Sequence, residues 1–257
     1  LIPLCMKQFE NLFATTRIPL KGKDILQKYQ NSKHIILRIG KDWFKIDLSL
    51  LESSQNEDGS NINYYTVYNL LNNIISDQFQ ENINKNTNTD YDKIASLTSL
   101  DRDEWCNLRI NLMKKNKNTI ETIESSLFIL HLETLESNNI DEYCKDNFIG
   151  KGYYWMDKSF NIIVYDNGRV GVHAEHSWGD APCLSDAFEM LMEENYNMSL
   201  CPSINEIVPL KYDKLEWILD EEDKNNIKKA LENMEIIKNV LDIKFFKYEN
   251  FGKKKLK

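Results

Sequence analysis

The apolar positions of the chain change their spacing several times, and each change marks an element. His34-Ile-Ile-Leu-Arg-Ile39 and Trp43-Phe-Lys-Ile-Asp-Leu48 are short β-rich runs either side of Gly40, which predicts a hairpin over Lys33 to Leu48. Between Ile62 and Phe79, the residues Val67, Leu70, Leu71, Ile74, Ile75 and Phe79 recur at helical spacing and give one apolar face. Leu127 to Leu132 and Phe160 to Tyr165 are short apolar runs that suit buried strands. The second is followed by Asp166-Asn167-Gly168, whose Asn-Gly pair favours the positive φ of a tight hairpin turn, with a return strand over Arg169 to Glu175. Pro182 then stands where a first helical turn accepts it, and Leu184, Ala187, Phe188 and Leu191 mark the helix. Ile227, Leu231, Met234 and Leu241 predict a late helix, and Ile243 to Tyr248 a closing strand. Strands and helices interspersed in this way predict a layered α/β domain. No internal repeat is visible, and Asn-rich stretches such as Asn82 to Asn88 are compositional bias.

Composition narrows the reading. A chain of 257 residues with 42% hydrophobic residues can bury a sizeable core, as one large domain or two small ones. The net charge of -8 argues against a general nucleic-acid binder, which needs a basic footprint; the acidic excess is spread out and reads as a solubilising surface. No apolar run approaches the ~18 residues of a membrane span, and no signal or transit peptide is recognisable. Cys5, Cys106, Cys144, Cys183 and Cys201 form no C-x-x-C pair, a scatter that suits reduced thiols facing the cytosol. The chain opens on Leu1 and closes within a lysine run, so a piece of a longer protein is expected.

The chemistry concentrates in Val172-His-Ala-Glu-His-Ser-Trp-Gly-Asp-Ala-Pro182, a strand end, a polar loop and a helix start. Such junctions hold reactive side chains rigidly yet accessibly. A neutral imidazole at His176 could accept a proton near physiological pH, as an alcohol attacking a thioester requires. A hydrogen-bonded structural histidine would leave the same trace in the sequence. Asp180, four residues on, fits a helix cap or dipole-favoured acid as well as an orienting group. A metal site built from His173, Glu175 and His176 is disfavoured, because an extended chain points residues 173 and 176 to opposite faces and no further Cys/His cluster completes the set. A Ser-His-Asp hydrolase is disfavoured too: there is no G-x-S-x-G elbow, and Ser177 lies beside His176 in sequence. The tail Phe251-Gly-Lys-Lys-Lys-Leu-Lys257 combines a glycine with clustered ammonium groups, which suits a polyanion or merely a solvated end.

Trp155-Met-Asp-Lys-Ser-Phe160 followed by Gly171-Val-His-Ala-Glu-His-Ser-Trp-Gly-Asp-Ala-Pro182 resembles the central signature of the carnitine/choline acyltransferases. Pro3-Leu-Cys-Met, Thr16-Arg-Ile-Pro19, Lys33-His-Ile, Leu97-Thr…Asp101-Arg…Trp105…Arg109 and Leu215-Glu-Trp217 match further blocks of that family in order. The resemblance covers nearly the whole chain and is strongest to the carnitine O-palmitoyltransferase branch, especially its outer-mitochondrial-membrane type. It implies an α/β lobe of the CoA-dependent, chloramphenicol-acetyltransferase-like kind, a mixed sheet with flanking helices. Residues 1–257 would be a single partial domain, the amino-terminal lobe, with carnitine and acyl-CoA as partners and the carboxy-terminal lobe of the same protein completing the tunnel.

The implied reaction moves a long-chain acyl group between CoA and carnitine, with His176 as general base and Asp180 orienting through an arginine of the other half. Gly252, Lys253 and Lys257 match the segment that contacts CoA, although Lys254 and Lys255 stand where relatives usually carry uncharged residues. CoA serves as co-substrate, with no permanent cofactor and no metal. The resemblance also implies a mitochondrial, cytosol-facing location, with membrane attachment only through segments outside this chain. The alternative is a truncated or non-catalytic relative that keeps the lobe as a binding module.

Overall fold

The structure, a computed structural model, describes residues 6–49, 64–83, 92–134, 139–193 and 212–246. Among the described residues, eight strands and five α-helices run in the order β1 (Thr15–Leu20), β2 (Lys23–Lys28), β3 (His34–Ile39), β4 (Asp42–Asp47), α1 (Tyr64–Ile83), α2 (Arg102–Ser125), β5 (Ile129–Glu133), α3 (Ile140–Ile149), β6 (Phe160–Tyr165), β7 (Val170–Ala174), α4 (Ala181–Glu193), β8 (Tyr212–Leu215) and α5 (Glu221–Val240). β1 and β2 pair as a separate hairpin. The other six form one mixed sheet in the order β7-β6-β5-β3-β4-β8, with β3, β5 and β6 parallel and β4, β7 and β8 antiparallel to their neighbours.

Both faces of the sheet are covered, and alternation along β3 divides its side chains between them. Ile36 joins Trp43 of β4 and Ile129 of β5 under α2 and α5, where Trp105, Leu112, Ile120, Ile123, Ile227 and Ala230 complete the larger core. Ile35 and Leu37 point the other way, with Phe44 and Ile46, onto Leu70 and Ile74 of α1. This is the pattern of a central strand buried on both sides. Leu184, Ala187 and buried Cys183 of α4 pack on Phe160, Leu12 and Trp178.

The predicted hairpin, the two buried strands, the return strand and the helices around Val67–Ile75, Leu184 and Ile227 are all present. The Asn-Gly turn takes its positive φ at Gly168 alone, while Asn167 accepts the Arg169 N–H at 3.0 Å through its side chain. The closing strand is not formed: residues 243–246 have no regular structure, and 247–248 lie outside the described residues. The place beside β4 is held instead by β8, which leaves Phe246 83% exposed.

The β1–β2 hairpin is tied to the sheet where β6 begins. Thr16 bridges Lys158, the Ser159 N–H donates to the Thr15 carbonyl at 3.0 Å, and the Arg17 N–H donates to the Asp157 carbonyl at 2.8 Å. The buried Lys158 ammonium donates to Thr16 Oγ1 at 3.1 Å and to the Glu124 carbonyl at 2.8 Å. Burial holds its pKa well below the usual lysine value, against the attraction of Glu124. The strand that leads to the candidate base therefore starts from a fixed floor.

Candidate functional site

β7 is an edge strand, and its chain leaves the sheet after Ala174 to pass through Glu175, His176, Ser177 and Trp178 before α4 starts at Ala181. One carbonyl gathers both ends of this loop. Ser159 O accepts the Glu175 N–H at 3.2 Å and the indole N–H of the buried Trp178 at 2.7 Å. Between these anchors, Glu175 Oε2 accepts the Ser177 N–H at 2.8 Å and its hydroxyl at 2.5 Å. His176 is exposed, and its ring makes no hydrogen bond or ion pair among the described residues. A side chain on such a loop has a fixed backbone and a free imidazole, the combination a general base needs.

Asp180 sits immediately before α4, and its carbonyl accepts the Cys183 N–H at 3.0 Å. Its carboxylate accepts from Gln8 Nε2 at 2.9 Å, and its own N–H donates to Gln8 Oε1 at 2.9 Å. The reciprocal pair ties the loop's far end to the short 3-10 turn at Lys7–Asn11. Asp180 is thereby fixed at the start of α4 by contacts with the amino-terminal turn. Gly252, Lys253 and Lys257 lie outside the described residues.

The neighbouring histidine has a different setting. His173 Nδ1 bonds the Asn147 carbonyl at 3.2 Å and its ring lies 5.6 Å from that of Tyr154; burial lowers its pKa. Because β7 ends at Ala174, strand parity alone no longer separates residues 173 and 176; their surroundings do, one half-buried against α3 and the other in solvent. Among the described residues, no group of three His, Cys, Asp or Glu side chains converges as a metal-binding set. Ser177 is occupied as a donor to Glu175, which gives it a structural task in the loop.

Sequence reasoning gave no role to the ion-pair network behind this loop. Arg17 on β1 reaches Glu175 Oε1 at 3.2 Å and Asp24 Oδ2 on β2 at 2.5 Å. Asp24 also accepts from Arg102 at 2.8 Å, Arg102 reaches Asp157 at 2.8 Å, and Trp105 Nε1 donates to Asp157 at 2.8 Å. Burial pushes the Asp157 carboxyl up to about 6 even with Arg102 pulling it down. The available signal was that Arg17, Arg102, Trp105 and Asp157 all stand within the family-like blocks.

Comparison with known proteins identifies the family of the chain. The family model described as choline/carnitine O-acyltransferase matches residues 1–257. The liver isoform of carnitine O-palmitoyltransferase 1 from Homo sapiens is 29% identical over 98% of this chain and 33% of its own length. The muscle isoform from Rattus norvegicus is 31% identical over 75% of this chain and 24% of its own length. Mitochondrial carnitine O-palmitoyltransferase 2 from Homo sapiens is 26% identical over 99% of this chain and 38% of its own length. The chain therefore spans about a third of the length of curated relatives that match nearly all of it. On the whole-length family match, the chain belongs to the choline/carnitine O-acyltransferase family.

Proposed function

We propose that this chain supplies the base-bearing lobe, of the chloramphenicol-acetyltransferase-like kind, of an enzyme that transfers a long-chain acyl group between CoA and carnitine. The observation that carries the reading is the exposed His176, unpartnered among the described residues, on a loop pinned at both ends, within a chain matched throughout by the family. His176 takes the proton of the carnitine hydroxyl as its oxygen attacks the thioester carbonyl. When the tetrahedral intermediate collapses, the imidazolium returns the proton to the departing CoA thiolate. The thioester is already activated, so no acyl-enzyme is required. Asp180 holds the loop-to-helix junction, and Gly252 with Lys253 and Lys257 approaches the CoA phosphates.

The relatives' printed names support the palmitoyl-transferring class, and one of them is named mitochondrial. A place at the outer mitochondrial membrane, facing the cytosol, belongs to the same proposal. Among the described residues no helix is long and apolar enough to cross a membrane. Residues 1–257 alone are not expected to turn over. Proton transfer is one contribution, while oxyanion stabilisation and alignment of the alcohol, the latter worth ~7–11 kcal/mol, depend on groups supplied elsewhere in the enzyme.

The test is palmitoyl-CoA and carnitine with the full-length protein, following CoA release and acylcarnitine together. The expected result is carnitine-dependent release of CoA matched by acylcarnitine. Lys253→Glu and Lys257→Glu should raise KM for acyl-CoA and spare that for carnitine, less so at high salt. CoA release that ignores carnitine, or no transfer by the unaltered protein, overturns the proposal.

A further inference from the structure

We infer that Glu175, held by Arg17, is a positioning residue for His176: its carboxylate fixes the backbone on both sides of the base without touching substrate. The inference rests on the reading of His176 as the base. Glu175 and Ser177 flank the histidine, and one oxygen of Glu175 accepts both the N–H and the hydroxyl of Ser177, at 2.8 and 2.5 Å. That link closes a ring across residue 176 itself. The other oxygen is engaged by Arg17 at 3.2 Å, so both oxygens of the carboxylate are occupied by donors. The side chain is only 10% exposed, in contrast to the histidine beside it.

An isolated exposed ion pair would hold little. This one ends a chain of alternating charges: Glu175, Arg17, Asp24, Arg102 and Asp157, the last 3% exposed and also bonded by Trp105. Arg17 thus cannot swing freely, because Asp24 grips its Nε while its Nη1 reaches Glu175. Together with the two bonds to the Ser159 carbonyl, the carboxylate leaves His176 Cα little room to move. Such ordering, present before substrate arrives, is what lets an imidazole meet a hydroxyl proton in line. A misplacement of about 1 Å can cost ~10² in rate.

The experiment compares Glu175→Ala, Glu175→Gln, Arg17→Met, His176→Ala and the Glu175→Ala/His176→Ala double variant in the full-length protein. Acyl transfer, both KM values and thermal unfolding are measured for each. Glu175→Ala should lower kcat ~10–10²-fold with both KM values nearly unchanged. Glu175→Gln keeps an oxygen for Ser177 and should recover part of that loss. Arg17→Met should fall in the same direction by less, since the Ser177 bonds remain.

The cycle is decisive, because a residue acting through His176 has nothing left to lose once His176 is gone. Glu175→Ala should therefore add no further loss on the His176→Ala background. A wild-type kcat in Glu175→Ala, or losses that multiply in the double variant, would overturn the positioning role while leaving the base in place. Normal turnover in His176→Ala would remove the base itself, and the positioning role with it. If Glu175→Ala does not fold, Glu175→Gln and Arg17→Met carry the same comparison.

Discussion

Two histidines, one inside the sheet and one on the loop beyond its edge, have opposite surroundings. His131 lies at the centre of β5 with no exposed surface, and both ring nitrogens are committed. Arg38 Nε donates to its Nδ1 at 2.9 Å, and its Nε2 bonds Asn161 Oδ1 at 3.0 Å, which fixes the proton on Nε2. Burial holds its pKa well below the ordinary value, with the Arg38 charge adding to the effect. His176 follows an edge strand, in solvent, with no partner on its ring among the described residues, while hydrogen bonds hold Glu175, Ser177 and Trp178 around it. Neutrality alone does not make a base, since His131 is held neutral and has no free ring nitrogen. What differs is an exposed ring with no hydrogen-bond partner among the described residues, on a loop whose neighbouring residues are tied down.

That contrast can be broken at the buried end first. Arg38 is fully buried, pairs with Glu133 and stacks 4.2 Å from the Tyr153 ring centre. Arg38→Met leaves Glu133 and His131 without their donor and should cost ~3–5 kcal/mol of stability, read from denaturant unfolding. A loss below about 1 kcal/mol would show that the network is not holding the sheet centre together.

A second disturbance acts on the strand that joins the two regions. A Cβ at Gly171 on β7 would come 1.9 Å from Asn147 Oδ1 on α3, so Gly171→Ala must displace the buried Asn147 side chain or part strand from helix. The expected cost is ~1–3 kcal/mol, again from denaturant unfolding. In the full-length protein kcat should fall with it, because β7 carries the loop.

Acid sharpens the comparison more gently. Burial depresses the pKa of His34, His131 and His173, so on acidification the unfolded chain takes up these protons before the folded one. Their contribution is complete well above an unfolded value of ~6.5 and declines as pH falls through it. Asp157 and Glu124 have raised pKa values and oppose the trend at lower pH, so the clean interval lies between about pH 7.5 and 6. Unfolding midpoints should drop over that interval, and a flat profile would contradict the assignment. The smallest effect belongs to the exposed histidine: His176→Ala should change stability by no more than ~0.5 kcal/mol, in the same unfolding assay.

The parts of this molecule that were legible in the sequence are those whose causes are local. The β6–turn–β7 unit combines an apolar run, an Asn-Gly turn and a return strand within sixteen residues, and its position directs the eye to His176. α2 was missed although Asp101 caps it, accepting from the Asp103 N–H at 3.1 Å. Its buried face includes Asn116 and Glu124, which interrupt the apolar stripe; Asn116 exchanges two hydrogen bonds with the backbone of Ile218, and Glu124 takes Arg109 at 2.6 Å through both oxygens. β8 is illegible because a short, largely exposed edge strand carries no alternation, whereas the more apolar stretch after α5 has the composition of a closing strand. The supports of the loop were illegible for a different reason. Arg17 lies 158 residues from Glu175, Asp24 lies 78 from Arg102, and Gln8 lies 172 from Asp180. No periodicity spans such distances, and only the fold brings the charges into line.

The central claim is that an exposed imidazole on an immobilised loop accepts the substrate proton. Its most direct test is the full-length protein with His176→Ala, with acyl-CoA binding measured apart from single-turnover acyl transfer. The account predicts nearly unchanged binding and a transfer rate lower by ~10²–10⁴. Transfer at close to the unaltered rate would contradict it.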